Sequence, residues 1–408
     1  MNETDYVLNQ HIFDAVRFLK ENWQQKPVVI RGAFLDFHDP ISPEELAGLA
    51  MDSGVDSRLV IQKDDQWNVV HGPFEHFNDL PEQHWSLLVQ AVNEHVPIAQ
   101  DLLRAFRFLP DWRIDDLMVS YSTPHGGVGP HVDQYDVFII QGLGRRRWQV
   151  GAKQTLKTVL PHRDLKQTEA FEPIIDAMLE PGDMIYIPAG FPHAGASELP
   201  SLNYSVGFRA PSQAELLSAL ADYALDKEKL QKRFEDRLED TLNPEGNGLP
   251  EFDPWHFAPL HTAGFKQLLL EALQDDTLLH DVLAEFLSKN PRPPLPEWPE
   301  RPVLEASLEY QLAQYPLLFK AIGVRMITTE KDGMIHAVVQ GQWYPLDEDA
   351  EDLFGVLCDM SDCIDTHTLS EYLESAAARH LLCGLLNEGL FVLGTDDDDD
   401  SPGEDITQ

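Results

Sequence analysis

The chain has 408 residues, with 30 Lys and Arg against 69 Asp and Glu, for a formal net charge of −39. That length exceeds one ordinary core and points to two or three domains, while 43% hydrophobic residues exclude a disordered chain. A field this anionic repels phosphate backbones, so direct DNA binding is not expected and a basic protein partner is; solubility alone is the other use of such charge.

The opening MNETDYVLNQ lacks the basic start and apolar core of a signal peptide, and no apolar run reaches membrane-spanning length. A cytoplasmic chain without membrane partners is expected. Up to about residue 210, short β-branched and aromatic runs alternate with Gly and Pro: KPVVIRGAF, DDLMVSYS, DVFIIQGLG, RRWQVG, GDMIYIPAG and NYSVGFRA. This spacing predicts an all-β barrel or sandwich, with early helices over ISPEELAGLA and WSLLVQAVNEHV. Next, SQAE reads as a capping box with Ser212 at the N-cap and Glu215 three residues on. It opens a helix over ELLSALADYALDKEKLQKRFEDRL. A Gly- and Pro-rich loop (243–254) precedes helices over FKQLLLEALQ and LLHDVLAEFLS. Their leucine-rich faces need a cover, either the barrel or a second copy of the chain.

NPRPPLPEWPERP is a stiff, extended linker. Beyond it, VRMITTEKDGMIHAVVQGQWYPL predicts a hairpin turning at Lys331, Asp332 and Gly333. Helices and a last strand, GLFVLG, complete a small unit whose helices and β-wing suggest a winged helix. Residues 301–408 carry 5 Lys and Arg against 22 Asp and Glu, so DNA reading is not expected there. Cys358, Cys363 and Cys383 match no zinc spacing and read as reduced, structural thiols. TDDDDDSPGEDITQ is an acidic tail with the composition of a disordered segment. The expected division is a catalytic barrel over 1–210, a helical region with the linker over 211–300, a winged-helix-like domain over 301–394 and the tail over 395–408.

Chemistry concentrates in two motifs. In GPHVDQYDVF, His131 and Asp133 share a face if the stretch is a strand, with Tyr135 next on that face. An H-x-D pair alone is a weak signal. In LEPGDMIYIPAGFPHAG, Pro181-Gly182-Asp183 reads as a turn, Met184 to Pro188 as a strand and His193 as part of the following loop. Two histidines and one carboxylate with three positions left open form the facial triad of non-haem Fe(II) oxygenases. In GLGRRRWQV, an inward Trp148 implies an inward Arg146, with Arg145 and Arg147 outward. A guanidinium fork there would match the carboxylate of a chelating cosubstrate; three surface arginines on an acidic chain are the alternative.

The ordered motifs G-P-H-V-D, D-V-F, Q-G-L-G-x-R-x-W and E-P-G-D-x-x-Y-I-P-x-G-x-P-H resemble a JmjC-type 2-oxoglutarate oxygenase over roughly residues 1–210. DWRIDDLMVSYS, YIPAGFPHAG and NYSVGFRAP are similar to the bacterial ribosomal oxygenases, which hydroxylate an arginine of a large-subunit ribosomal protein. The resemblance implies a double-stranded β-helix (cupin-like) barrel, followed by a helical dimerisation region and a winged-helix-like C-terminal domain, and a homodimer. It implies Fe(II), 2-oxoglutarate and O2, with His131, Asp133 and His193 holding the metal at the catalytic centre. Arg146 stands where many JmjC enzymes carry a lysine and would bind the distal 2-oxoglutarate carboxylate, with Ser122 as its hydroxyl partner and Asn203 beside it. Strand parity puts Asp116, Met118, Ser120 and Ser122 on one face, and Asn203 and Ser205 on another. Asp116, Met118, Tyr135 and Ser205 are then expected to receive the substrate side chain, since a carboxylate beside an aromatic ring seats a guanidinium. Capping is the alternative for Asp116. The expected reaction is hydroxylation at C3 of an arginine in protein sixteen of the large subunit. A histidine hydroxylase, a lysine demethylase, a zinc-bound cupin and a non-catalytic acidic interaction module remain as rivals.

Overall fold

The computed structural model describes residues 6–64, 66–236 and 259–395, with residues 255 and 257. The expected loop over 243–254 lies outside the described residues, as does the acidic tail beyond residue 395.

Short helices α1 (Ala15–Glu21), α2 (Pro43–Leu49) and α3 (Pro97–Leu103) precede and interrupt the first strands. Helix α2 starts as ISPEELAGLA predicts: Ser42 accepts from the Glu45 amide, Glu45 reaches back to Ser42, and Pro43 occupies the first turn. In chain order the strands are β1 (Val28–Ile30), β2 (Ser57–Lys63), β3 (Gln66–His71), β4 (Trp85–Val89), β5 (Ile114–Ser122), β6 (His131–Val132) and β7 (Asp136–Gln141). They continue as β8 (Arg146–Gly151), β9 (Thr158–His162), β10 (Leu165–Thr168), β11 (Pro173–Leu179), β12 (Met184–Ile187), β13 (Pro192–Ser197) and β14 (Ser201–Phe208). One sheet has eight strands in the order β1-β12-β7-β14-β5-β4-β2-β3, and the other four in the order β11-β8-β13-β6. Strands β9 and β10 form a separate hairpin.

Strand β7 shows why the sheets stack. Its Val137 and Ile139 enter a cluster with Trp148, Val150 and Ile185 between the sheets. Its Phe138 and Ile140 face the other way, into a larger core with Phe18, Phe106, Tyr186 and Phe208. A strand buried on both faces reads as a continuous apolar run, and DVFIIQ is one. The result is the expected double-stranded β-helix.

Three expectations need correction. WSLLVQAVNEHV is not a helix: Trp85–Val89 is strand β4, paired on both sides with β2 and β5. Its W-S-L-L-V start suits a buried central strand, and that pairing overrides helix propensity. The long helix after Ser212 stops early, α4 running over Gln213–Asp226. Glu228 and Leu230, at φ 52° and 53°, take a left-handed backbone that no helix continues through. His193 stands on strand β13, not in a loop.

The chain divides by contact into two compact units. The first joins the barrel, up to Ala210, with Arg292–Val324 and the segment from Leu346 on. The second joins Pro211–Pro291 with Arg325–Pro345, so the hairpin groups with the helices. In that second unit, α4 opens with the predicted capping box at Ser212 and Glu215. It packs Leu220 against Leu278 and Val282 of the helix Asp276–Leu287. The hairpin turns where predicted, with Asp332 and Gly333 at φ 53° and 77°, the double positive φ that favours Asp-Gly. No helix among the described residues is long and apolar enough to cross a membrane.

Candidate metal centre and its cavity

Strand β6 pairs with β13 so that His131 lies directly opposite His193, with ring centroids 4.2 Å apart. Asp133 falls just past the end of β6, in the turn before β7. The sequence argument for a shared strand face therefore stops at Val132, and the turn does the work, tied down where the Gly190 amide donates to the Asp133 carbonyl at 2.8 Å. Asp133 Oδ2 lies 3.8 Å from His131 Nε2 and 3.5 Å from His193 Nε2. The three ligand atoms all lie within 4.8 Å of one another.

The other ring nitrogens decide what this cluster can hold. His131 Nδ1 lies 3.0 Å from the Gly129 carbonyl and His193 Nδ1 3.0 Å from the Phe191 carbonyl. A carbonyl only accepts, so each Nδ1 carries hydrogen and each neutral imidazole turns its Nε2 lone pair inward. Lone pairs facing a carboxylate oxygen attract only with a positive charge between them, a proton or a metal ion. Burial, reinforced by His193, pushes His131 down to about 4, so it is neutral at pH 7 and free to ligate. Burial works to raise the Asp133 carboxyl, yet the two imidazoles and Arg58 outweigh it and hold it below the usual range. Two backbone-oriented imidazoles and one carboxylate fit a divalent iron site.

Beside the triad is a cavity of about 370 Å³, the size of a small-molecule site. Arg146 lines it and is only 3% exposed. Its Nη1 donates to Asn203 Oδ1 at 3.0 Å, Ser122 Oγ at 3.2 Å and Ser120 Oγ at 3.3 Å, and Nη2 donates to the Gly195 carbonyl at 3.3 Å. All these partners are neutral. Among the described residues no carboxylate lies within ion-pairing distance of Arg146, and its Nε has no hydrogen-bond partner. Burial pulls the guanidinium down to about 10, still charged at neutral pH. Buried cations are normally paired, so this one calls for an anion in the cavity. Arg145 and Arg147 face outward, paired with Glu198 and Asp176, as the Trp148 parity predicts.

The remaining candidates divide between wall and support. Asp116, Met118, Tyr135 and Ser205 line the cavity, as does Ser120. Ser122 and Asn203 lie behind Arg146. Ser122 shares a 2.7 Å hydrogen bond with Ser86, and Asn203 Nδ2 donates to Gln141 Oε1 at 2.8 Å. Parity identifies the face of a strand but not the depth along it, so Ser120 and Ser86 reach the wall where Ser122 does not. Asp116 is buried, and burial raises its carboxyl pKa against the opposing pull of Arg292 and Gln90. The Tyr135 hydroxyl is raised by burial and then by Asp133 and Asp116, so it is a phenol and a donor. Arg58, Gln90 and Lys166 also line the cavity and were not foreseen. Arg58 and Lys166 lie on β2 and β10, strands the sequence reading did not resolve.

A JmjC domain model matches residues 101–216, the segment carrying all three candidate metal ligands. The ribosomal protein uL16 3-hydroxylase of Escherichia coli is 48% identical over 316 residues, 77% of this chain and 82% of that protein. The chain belongs to the JmjC ribosomal oxygenases. A probable ribosomal oxygenase of Haemophilus influenzae is 38% identical over 226 residues, 54% of this chain and 55% of that one. An X-ray structure of E. coli YcfD superposes with a TM-score of 0.80 at 41% identity, covering 95% of this chain and 99% of that one. A second YcfD structure, in complex with cobalt and 2-oxoglutarate, covers the same shares at a TM-score of 0.78 and 39% identity. For a ribosomal oxygenase of this family, the barrel, the triad and the charged cavity are one connected piece of structure.

Proposed function

We propose that this chain hydroxylates C3 of an arginine in ribosomal protein uL16, using Fe(II), 2-oxoglutarate and O2. The observation that carries the reading is Arg146, a buried guanidinium without a carboxylate, facing the same cavity as the His131–Asp133–His193 cluster. A dicarboxylate that ligates the metal at one end and meets Arg146 at the other answers both needs. The relatives support the choice: one is named for uL16 3-hydroxylation, and another is held with cobalt and 2-oxoglutarate.

His131, Asp133 and His193 would hold Fe(II). When bound, the metal with its cosubstrates supplies the oxidising power: 2-oxoglutarate loses CO2 to become succinate, and one atom of O2 enters the substrate C–H bond as hydroxyl. The chain's own residues bind and orient. Arg146 clamps the distal carboxylate, Ser120 adds a hydroxyl at the wall, and Ser122 and Asn203 fix the guanidinium plane. Asp116, Met118, Tyr135 and Ser205 receive the substrate side chain. The Asp116 carboxylate suits a guanidinium, which methyl-lysine or histidine would not need.

We also read the helical region over 211–300 as a homodimer interface and residues 301–394 as winged-helix-like. A basic uL16 partner suits the acidic surface and goes with a cytoplasmic location. Unmodified uL16, incubated with the protein, Fe(II), 2-oxoglutarate and O2, should gain the mass of one oxygen, located by fragmentation on one arginine. His131→Ala should abolish the gain. Succinate formation by the intact protein with no gain on uL16 would overturn the substrate while leaving the cosubstrate chemistry.

A further inference from the structure

Resting on the reading of Asp116 as the substrate seat, a second residue outside the JmjC segment comes into play. Asp116 is a two-sided carboxylate. Its Oδ2 accepts from Gln90 Nε2 at 2.6 Å and from the Ala91 amide at 3.2 Å. Arg292 Nη2 lies 3.7 Å from the same oxygen. Oδ1 lies on the other side: a Cβ placed on Gly207 would meet Asp116 Oδ1 at 3.7 Å and the Tyr135 ring at 3.7 and 3.8 Å. Gly207 and Tyr135 both line the cavity. The hydrogen bonds described for this carboxylate thus fall on Oδ2, while Oδ1 faces the space a substrate would fill.

Arg292 is itself anchored. Its Nε and Nη2 reach the two oxygens of Glu94 at 3.3 and 3.0 Å, a fork-to-fork ion pair. Glu94 follows Gln90 and Ala91 in the turn after β4, so one short segment supplies Asp116 with two donors and holds the arginine that supplies a positive charge. Ala91 takes φ 54° there, a conformation disfavoured for a residue with a Cβ. The Glu94 side chain is 9% exposed and that of Arg292 34%, which leaves their pairing more strength than a solvated one has.

We propose that Arg292 is a positioning residue for substrate binding: anchored by Glu94, it holds the Oδ2 side of Asp116 and leaves Oδ1 to accept the substrate guanidinium. Arg292 belongs to the Pro-rich stretch NPRPPLPEWPERP and lies well beyond the matched JmjC segment. A Pro-rich chain has little freedom to lose, which makes it a good carrier for a fixed charge. Four groups bear on Asp116: Asp115 on its own strand, Glu94 in the turn, Arg292 in the linker and Tyr135 opposite. Arg58 and Lys166 also line the cavity, but Arg292 is the cation that pulls directly on Asp116, and removing it leaves the buried carboxylate with Asp115 and Glu94 opposing its ionisation.

The sign of the pH effect follows. A seat for guanidinium needs ionised Asp116, and ionisation is lost as pH falls through its pKa. Loss of Arg292 raises that pKa, so the acid limb of the kcat/KM profile moves to higher pH. R292Q should raise KM for uL16 roughly tenfold or more, the scale of one charge-assisted hydrogen bond. Its kcat and its 2-oxoglutarate affinity should stay close to those of the parent. R292K keeps the charge and loses the fork, so the acid limb should stay and KM should rise less. An unshifted acid limb and unchanged KM in R292Q overturn the proposal. Should R292Q fail to fold, a parental KM in R292K overturns it instead. Asp116→Asn measured beside them separates the two layers: normal hydroxylation by D116N overturns the seat itself, while an impaired D116N with a normal R292Q overturns only the role of Arg292.

Discussion

Arg146 can lie where it does only because residue 195 has no side chain. A Cβ on Gly195 would stand 2.8 Å from Arg146 Nε and 2.9 Å from the Trp148 ring, closer than carbon packs. The guanidinium carbon sits 5.1 Å from the centre of the Trp148 ring, a cation–π contact that fixes the same pose. Gly195→Ala must therefore displace Arg146 or Trp148, while His193, two residues away, keeps its anchor to the Phe191 carbonyl. We expect 2-oxoglutarate binding to Mn(II)-loaded G195A to weaken about tenfold or more, on the scale of one lost charge-assisted hydrogen bond, with Mn(II) affinity nearly unchanged. Calorimetry reads both, and equal 2-oxoglutarate affinity would show that Arg146 does not hold the cosubstrate. Much of the site was legible at this scale: the H-x-D pair and the later histidine are read from the order and spacing of their motifs, and the inward arginine from parity. What spacing lacks is depth and distance. Ser122 shares the face of Ser120 yet sits behind Arg146, and Arg292 reaches Asp116 across 176 positions of chain, a contact no local pattern announces.

At the scale of elements, the strands with continuous apolar runs were legible because burial on both faces leaves a strong signal. The hairpin β9–β10 was not. Its residues alternate polar and apolar weakly, and two of its apolar side chains, Val159 and Leu160, are 38% and 66% exposed. It is held by long-range contacts instead: Gln167 Nε2 donates to the Val128 carbonyl at 2.8 Å and the Thr168 amide to the Pro130 carbonyl at 2.8 Å. Both anchors lie in the segment leading into His131. Strand β4 was misread for a related reason, since a short apolar run carries no period that separates helix from strand. The helical region poses the opposite problem, a clear pattern without a cover. On α4, Leu217, Ala221 and Leu225 recur every four residues and are all exposed. On the helix Pro259–Ala272, Phe265, Leu269 and Leu270 are exposed as well. A second copy covering these stripes gains about 1.5–3 kcal/mol per leucine buried. Light scattering should give twice the chain mass for the protein, and Leu225→Asp combined with Leu269→Asp should halve it without changing the circular dichroism. A monomeric parent would remove the dimer reading.

At the scale of the whole molecule, charge is the property no single element carries. The net −39 is spread over both units, and the contacts described above use little of it. The ion pairs of Arg292 with Glu94 and of Arg147 with Asp176 are local. A surface of one sign contributes little to the fold and opposes it slightly through self-repulsion, but it draws in a basic macromolecule before any specific contact forms. For a uL16 substrate this separates two kinetic quantities. Capture depends on the long-range field, which salt screens with a Debye length near 10 Å at 0.1 M. The bound complex depends on short contacts such as Asp116 and on Arg146, both buried and weakly screened. Raising salt from about 50 to 500 mM should therefore lower kcat/KM for uL16 by roughly an order of magnitude through slower association, while kcat at saturating uL16 stays nearly constant. The 2-oxoglutarate KM should hardly move, because its anion is bound at one buried charge and not by the field. A kcat/KM for uL16 that is flat across this range would mean that the acidic surface serves solubility alone.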